Sequence, residues 1–173
     1  MADNAKHTVL TVIPTLRYKD AAAAIVWLCE AFGFEKHRVV PGENGAIAHA
    51  QLVFGNGMIM LGSARDDEFG NFQQPPSSVE GVVFQSPYII VEDVDKHYAR
   101  AIAAGATVVM ALKDEDYGGR DYSCRDPEGF LWNFGTYDPW SASSQRLITT
   151  SHHNVSSQSY RVTMPPEQNR FPL

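Results

Sequence analysis

Apolar and polar positions along this 173-residue chain switch between two periods. Residues 8–16 are rich in β-branched and apolar side chains and predict a strand. Asp20 then sits where a helix cap is expected, with strong helix formers at 21–24 and Gly33 placed to end the helix after about Phe32. Ile25, Leu28, Cys29 and Phe32 recur at helical spacing and form its apolar stripe. Strands follow at 34–40, 47–54 and 58–61. They are separated by the Pro-Gly-Glu-Asn-Gly turn at 41–45 and the tight Gly-Asn-Gly hairpin at 55–57. The order is βαβββ.

The same order returns after a polar stretch at 63–84. A strand at 85–91 leads to Asp93, which caps a helix running to about Ala104 and closed by Gly105. Strands at 106–112, 120–125 and 130–134 complete it, with an Asp-Pro-Glu-Gly turn at 126–129. The two copies stand at a constant offset of 73: Asp20 aligns with Asp93, and Met60 with Asn133. Such a period predicts two copies of one structural unit. The expected architecture is α+β: two tandem βαβββ modules forming a curved mixed sheet around a central cavity. Module one covers about 8–62, a linker 63–84 and module two about 85–137, so that 1–137 form one domain. Residues 138–173 form a polar tail, expected to pack on the body or on a partner subunit, with Leu147, Ile148, Val155, Tyr160, Val162 and Phe171 as anchors.

Composition narrows the functional classes. The net charge of −6 argues against nucleic acid, whose partners carry basic patches. No apolar run approaches the ~20 residues of a membrane helix, and residues 1–7 lack the apolar core of a signal peptide. A cytoplasmic location is expected, and the two widely spaced thiols, Cys29 and Cys124, fit a reducing compartment. Nucleophile elbows, HExxH pairs, phosphate loops and dinucleotide fingerprints are missing from the sequence.

The doubled βαβββ unit, closing with Arg125-Asp126-Pro127-Glu128-Gly129-Phe130-Leu131-Trp132-Asn133-Phe134-Gly135, resembles the vicinal oxygen chelate superfamily. That superfamily includes glyoxalase I, extradiol dioxygenases, and fosfomycin- and bleomycin-resistance proteins. The resemblance spans about 8–137. It implies metal ligands on the first and last strand of each module, positions that look like Ile13, Met60, Ser86 and Asn133 here. Divalent first-row ions want imidazole, carboxylate or thiolate. None of the four supplies one, so no metal and no cofactor are expected, as in the bleomycin-resistance-like branch. The resemblance also implies a homodimer.

Strand alternation gives the candidate wall. Ala48, Ala50, Leu52 and Phe54 are expected under a helix, leaving His49, Gln51 and Val53 to face the cavity. The 73-residue offset carries that face onto Tyr122 and Cys124. Met58, Met60, Ser86, Tyr88, Leu131 and Asn133 complete it, while Trp132 and Phe134 point to the helix side. A Met-rich and aromatic wall with a few polar groups suits a small organic ligand, bound by His49, Gln51, Met58, Met60, Ser86, Tyr88, Tyr122 and Asn133. His97 is expected on a solvated helix face with Lys96 and Arg100. The expected function is metal-independent binding of an antibiotic-like or aromatic molecule. The alternative is a glyoxalase-like lyase or isomerase, or a dioxygenase, with a relocated metal site. In a metal-free enzyme, His49 would be the candidate general base. A structural role with no ligand is the third reading.

Overall fold

The computed structural model describes residues 10–68, 70–76 and 85–140. The chain divides into two compact units, Met1–Tyr137 and Asp138–Leu173. The tail anchors named above lie outside the described residues.

In the first module β1 (Thr15–Tyr18), α1 (Ala21–Phe32), β2 (Glu35–Pro41), β3 (Ile47–Phe54) and β4 (Gly57–Ser63) follow the predicted order. The second repeats it with β5 (Tyr88–Ile90), α2 (Val94–Ala103), β6 (Thr107–Asp114), β7 (Arg120–Arg125) and β8 (Leu131–Gly135). The helix starts are set by the predicted caps. The Asp20 carboxylate accepts from the Ala23 amide at 2.9 Å, and Asp93 from Lys96 at 3.0 Å. Gly33 adopts φ 86°, the left-handed conformation that lets its amide close α1 on the Cys29 carbonyl.

The strands hydrogen-bond as two four-stranded sheets, β1-β4-β3-β2 and β5-β8-β7-β6, each with its outer pair β1/β4 or β5/β8 parallel and the rest antiparallel. The first strand of each module is shorter than predicted. Pro14 and Pro87 have no amide hydrogen to give the ladder. Only their carbonyls join it, accepting from Met60 at 2.9 Å and from Asn133 at 3.1 Å. Ile13 and Ser86 therefore lie just before the ladders.

One core serves both modules. Ala50, Leu52, Ile59 and Leu61 of sheet one and Tyr122, Cys124, Trp132 and Phe134 of sheet two are all buried against the helices. The Phe32 ring, at the end of α1, lies 5.5 Å from Trp132 and 4.7 Å from Phe134. From α2, the Arg100 guanidinium reaches back to α1. It donates to the carbonyls of Glu30 at 2.6 Å and Cys29 at 2.8 Å in the last turn of the helix. Trp27 of α1 answers with an indole N–H to the Ala104 carbonyl at 2.8 Å. With the helix side of each sheet committed to this core, the opposite face of each sheet stays open.

Candidate functional site: the open faces of the two sheets

On sheet one, the open face carries the predicted residues. Ala50 and Leu52 are buried while His49, Gln51 and Val53 are half-exposed between them. Gln51 pairs with Met60, and Val53 with Met58, which puts both thioethers on that face. The His49 and Gln51 side chains meet, with Nε2 of each 3.1 Å apart. Two cations join them. Arg17 pairs with Gly62 across the parallel ladder, and Arg38 stands opposite Gln51 on β2.

On sheet two, Asn133 is the centre of a closed polar group. Its Oδ1 accepts from the Ser123 hydroxyl at 2.7 Å. Its Nδ2 donates to Ser86 Oγ at 2.9 Å and to the Pro87 carbonyl at 3.0 Å. Tyr88 pairs with Asn133 in register and is 41% exposed, its hydroxyl accepting from the Tyr137 amide at 3.1 Å. A cavity of about 270 Å³ spans the modules, with Met58 from the first and Tyr88 and Ile90 from the second in its lining. A larger groove of about 530 Å³ runs outside α1, past Val26 and Trp27 to Pro127, and contains none of the predicted wall residues.

Tyr122 is not on this wall. It is 1% exposed, packed 5.4 Å from Phe134 and 4.9 Å from Tyr98, and Cys124 is buried beside it. The cause is a difference between the hairpins. Gln51 pairs with Met60, nine positions on, but Ser123 pairs with Asn133, ten positions on. The 73-residue offset holds for the first and last strands and drops to 72 for β3 and β7. A slip of one residue turns every side chain to the other face. The open-face equivalents of His49 and Gln51 are therefore Asp121 and Ser123, which the sequence reading missed. The longer Asp-Pro-Glu-Gly turn, set against Gly55-Asn56, was the signal that could have found them.

His97 also departs from expectation. It is buried, with Nδ1 2.8 Å from the Tyr122 hydroxyl and Nε2 2.9 Å from the Phe32 carbonyl. A carbonyl only accepts, so Nε2 carries the proton and Nδ1 accepts from Tyr122. Burial holds its pKa below the usual histidine range, and the ring is neutral. Its place in the stripe Val94, His97, Ala101 was the missed cue. Burial also pushes the Cys124 thiol up to about 12, which removes it as a nucleophile near neutral pH.

The residues at the implied metal positions do not fit a divalent ion. Ile13 and Met60 offer no anionic or imidazole donor, and both ends of the Asn133 amide are engaged within the protein. Among the described residues no three His, Cys, Asp or Glu side chains gather closely enough to hold an ion. Nor, among them, is any helix long and apolar enough to cross a membrane.

Comparison with known proteins agrees with this architecture. An uncharacterized protein of Mycobacterium bovis is 36% identical over 122 residues, 70% of this chain and 80% of that protein. The crystal structure of TioX from Micromonospora sp. ML1 is 31% identical and superposes with a TM-score of 0.57, covering 73% of this chain and 97% of TioX. A fosfomycin resistance protein from Listeria monocytogenes, solved with Mn(II) and a dihydroxypropylphosphonic acid, shares the fold alone: 13% identity, TM-score 0.57, 80% of this chain and 97% of that one. The family model described as Glyoxalase/Bleomycin resistance protein/Dioxygenase superfamily matches residues 6–134, and with the doubled βαβββ fold in place the chain belongs to that superfamily.

Proposed function

We propose that this protein binds a small organic molecule on the open sheet faces without a metal, as a homodimer in the cytoplasm. The observation that carries the reading is Asn133. Where a metal-binding relative needs a charged donor, this chain has an amide whose oxygen and nitrogen already serve Ser123, Ser86 and Pro87. The mixed surface around it supports an organic ligand: thioethers at Met58 and Met60, a phenol at Tyr88, and the imidazole–amide pair of His49 and Gln51. Half-exposed apolar groups on these faces, Ile90 at 44% among them, favour cover by a second copy.

Metal analysis by mass spectrometry on untagged protein, purified without chelator, tests this first. Less than about a tenth of an equivalent supports the reading and sends effort to ligand screening by thermal shift. A stoichiometric metal overturns it and makes a lyase, isomerase or dioxygenase with a relocated site the leading function. Light scattering tests the dimer separately.

A further inference from the structure

The composition of α1 is that of a helix covered on every side. Of the twelve residues Ala21–Phe32 only Glu30 is charged. By contrast, α2 carries Asp95, Lys96 and Arg100 in ten. Ile25, Leu28 and Phe32 account for the side of α1 that meets the core. Val26 does not belong to it and is 48% exposed. A helix that is apolar all round is ordinarily buried all round, so the outer side of α1 wants a cover.

The groove of about 530 Å³ along that side gives the cover its shape. Ala23, Val26 and Trp27 of α1 and Pro127 of the facing turn supply its apolar lining. Trp27 is a fixed wall. Its indole N–H is held by the Ala104 carbonyl, and its ring stands edge-on to Phe32 at 4.8 Å. The volume falls in the range of small-molecule sites.

The charge around the groove is of one sign. Among the described residues that line it, Asp20, Glu30, Asp126 and Glu128 are acidic and none is basic. Three of these carboxylates already serve the fold. Asp20 accepts from the Ala23 amide, Glu128 from the Lys19 and Asp20 amides, and Asp126 from Tyr18 and Trp132. Glu30 is exposed, and no described residue hydrogen-bonds or ion-pairs its carboxylate. From α2, Arg100 brings a positive charge to this end of the helix, but its guanidinium donates to the Glu30 and Cys29 carbonyls and does not line the groove. A second copy docked here about a two-fold axis would bring the same carboxylates together on a chain of net charge −6. An apolar molecule with a cationic head meets the groove with complementary charge.

We infer that the groove outside α1 is a second binding site, separate from the open sheet faces, and that it takes an organic amine. The apolar body lies over Val26, Trp27 and Pro127, and the ammonium pairs with Glu30.

Two probes of one shape test this on the full chain: 2-naphthylmethylamine, charged at pH 7, and the neutral 2-naphthalenemethanol. Each is titrated to millimolar concentration and followed by amide NMR shifts. Both should move amides of α1 and of the turn at 126–129, with the amine bound about three- to fivefold tighter, the size of one solvent-exposed ion pair. Glu30→Gln should bring the amine down to the affinity of the alcohol, and added salt should weaken the amine alone. Val26→Lys, which puts a long cationic side chain into the groove, should abolish binding of both. Melting curves on the two variants check that they are folded.

Equal affinity of the two probes for wild type, or a preference that survives Glu30→Gln, overturns the inference. So does binding that Val26→Lys leaves intact, or binding of neither probe. Shifts confined to the open sheet faces overturn it while supporting the binding reading given above. Shifts of the α1 amides that follow protein concentration without any probe assign the cover to a second copy and overturn it too.

Discussion

The Tyr18 hydroxyl donates to Asp126 Oδ2 at 2.7 Å, joining the last residue of β1 to the turn before β8. The same oxygen accepts from the Trp132 indole at 3.1 Å, and Oδ1 accepts from the amides of Glu128 and Phe130. One buried carboxylate thus organises its own turn and ties module two to module one. Glu128, two residues on, accepts from the Lys19 and Asp20 amides at 2.7 and 2.8 Å, just ahead of α1. The turn therefore supports the start of a helix over a hundred residues earlier.

Tyr18→Phe should cost about 1–2 kcal/mol, because it removes a buried hydrogen bond to a charged acceptor while keeping the ring against Phe130. Asp126→Ala should cost more, about 2–4 kcal/mol, since four donors lose their acceptor together. Urea unfolding of both singles and the double gives the coupling. A double mutant equal to the sum of the singles would show that the contact contributes no pairwise stability.

Stability should fall on acidification through the ordinary histidine range, by way of His97. Burial holds its folded pKa below the unfolded value of about 6.5, so the unfolded chain binds the proton more readily. The stabilisation is fully present above that unfolded value. It is lost as pH drops through it toward the lower folded pKa. Protonation also turns Nδ1 into a donor facing the Tyr122 hydroxyl and brings positive charge toward Arg100. Melting temperatures at pH 7.5 and 5.5 should show a drop in wild type that shrinks in His97→Gln. An identical drop in both would assign the effect to other groups.

Arg100→Met keeps most of the side-chain bulk but removes both donations, leaving the Glu30 carbonyl to solvent and the Cys29 carbonyl to the Gly33 amide alone. The expected loss is about 1–2 kcal/mol, a few degrees in Tm, with hydrogen exchange quickening first in the last turn of α1. Unchanged exchange there would mean that the Gly33 cap suffices.

Much of this architecture could be read from local chemistry. Asp20 and Asp93 marked both helix starts because a short carboxylate is the natural partner of a free amide. β3 and β7 were legible because Ala48 to Leu52 and Asp121 to Arg125 alternate between two bounding turns. The face of β7 was not. Facing depends on the pairing register, and register depends on the length of a turn that contributes nothing to either strand's own pattern. Tyr122 and Cys124 were displaced for that reason alone. His97 was hidden differently: Lys96 and Arg100 beside it suggest solvent, and only the tertiary fold reveals that Arg100 turns back to α1 while the imidazole turns inward. Arg17 was overlooked because the first strand was expected to end at residue 16, whereas β1 runs on to Tyr18.

The extra residue in the second hairpin reaches beyond the placement of one tyrosine. Had both hairpins been equal, duplication would have handed the two halves the same inward-facing positions, and they would have diverged as copies of one wall. Instead the backbone kept its symmetry while the chemistry did not. His49 and Gln51 have Asp121 and Ser123 as counterparts, so an imidazole is matched by a carboxylate and an amide by a hydroxyl. Under the proposed binding function, a ligand that touched both faces would meet unlike chemistry at its two ends.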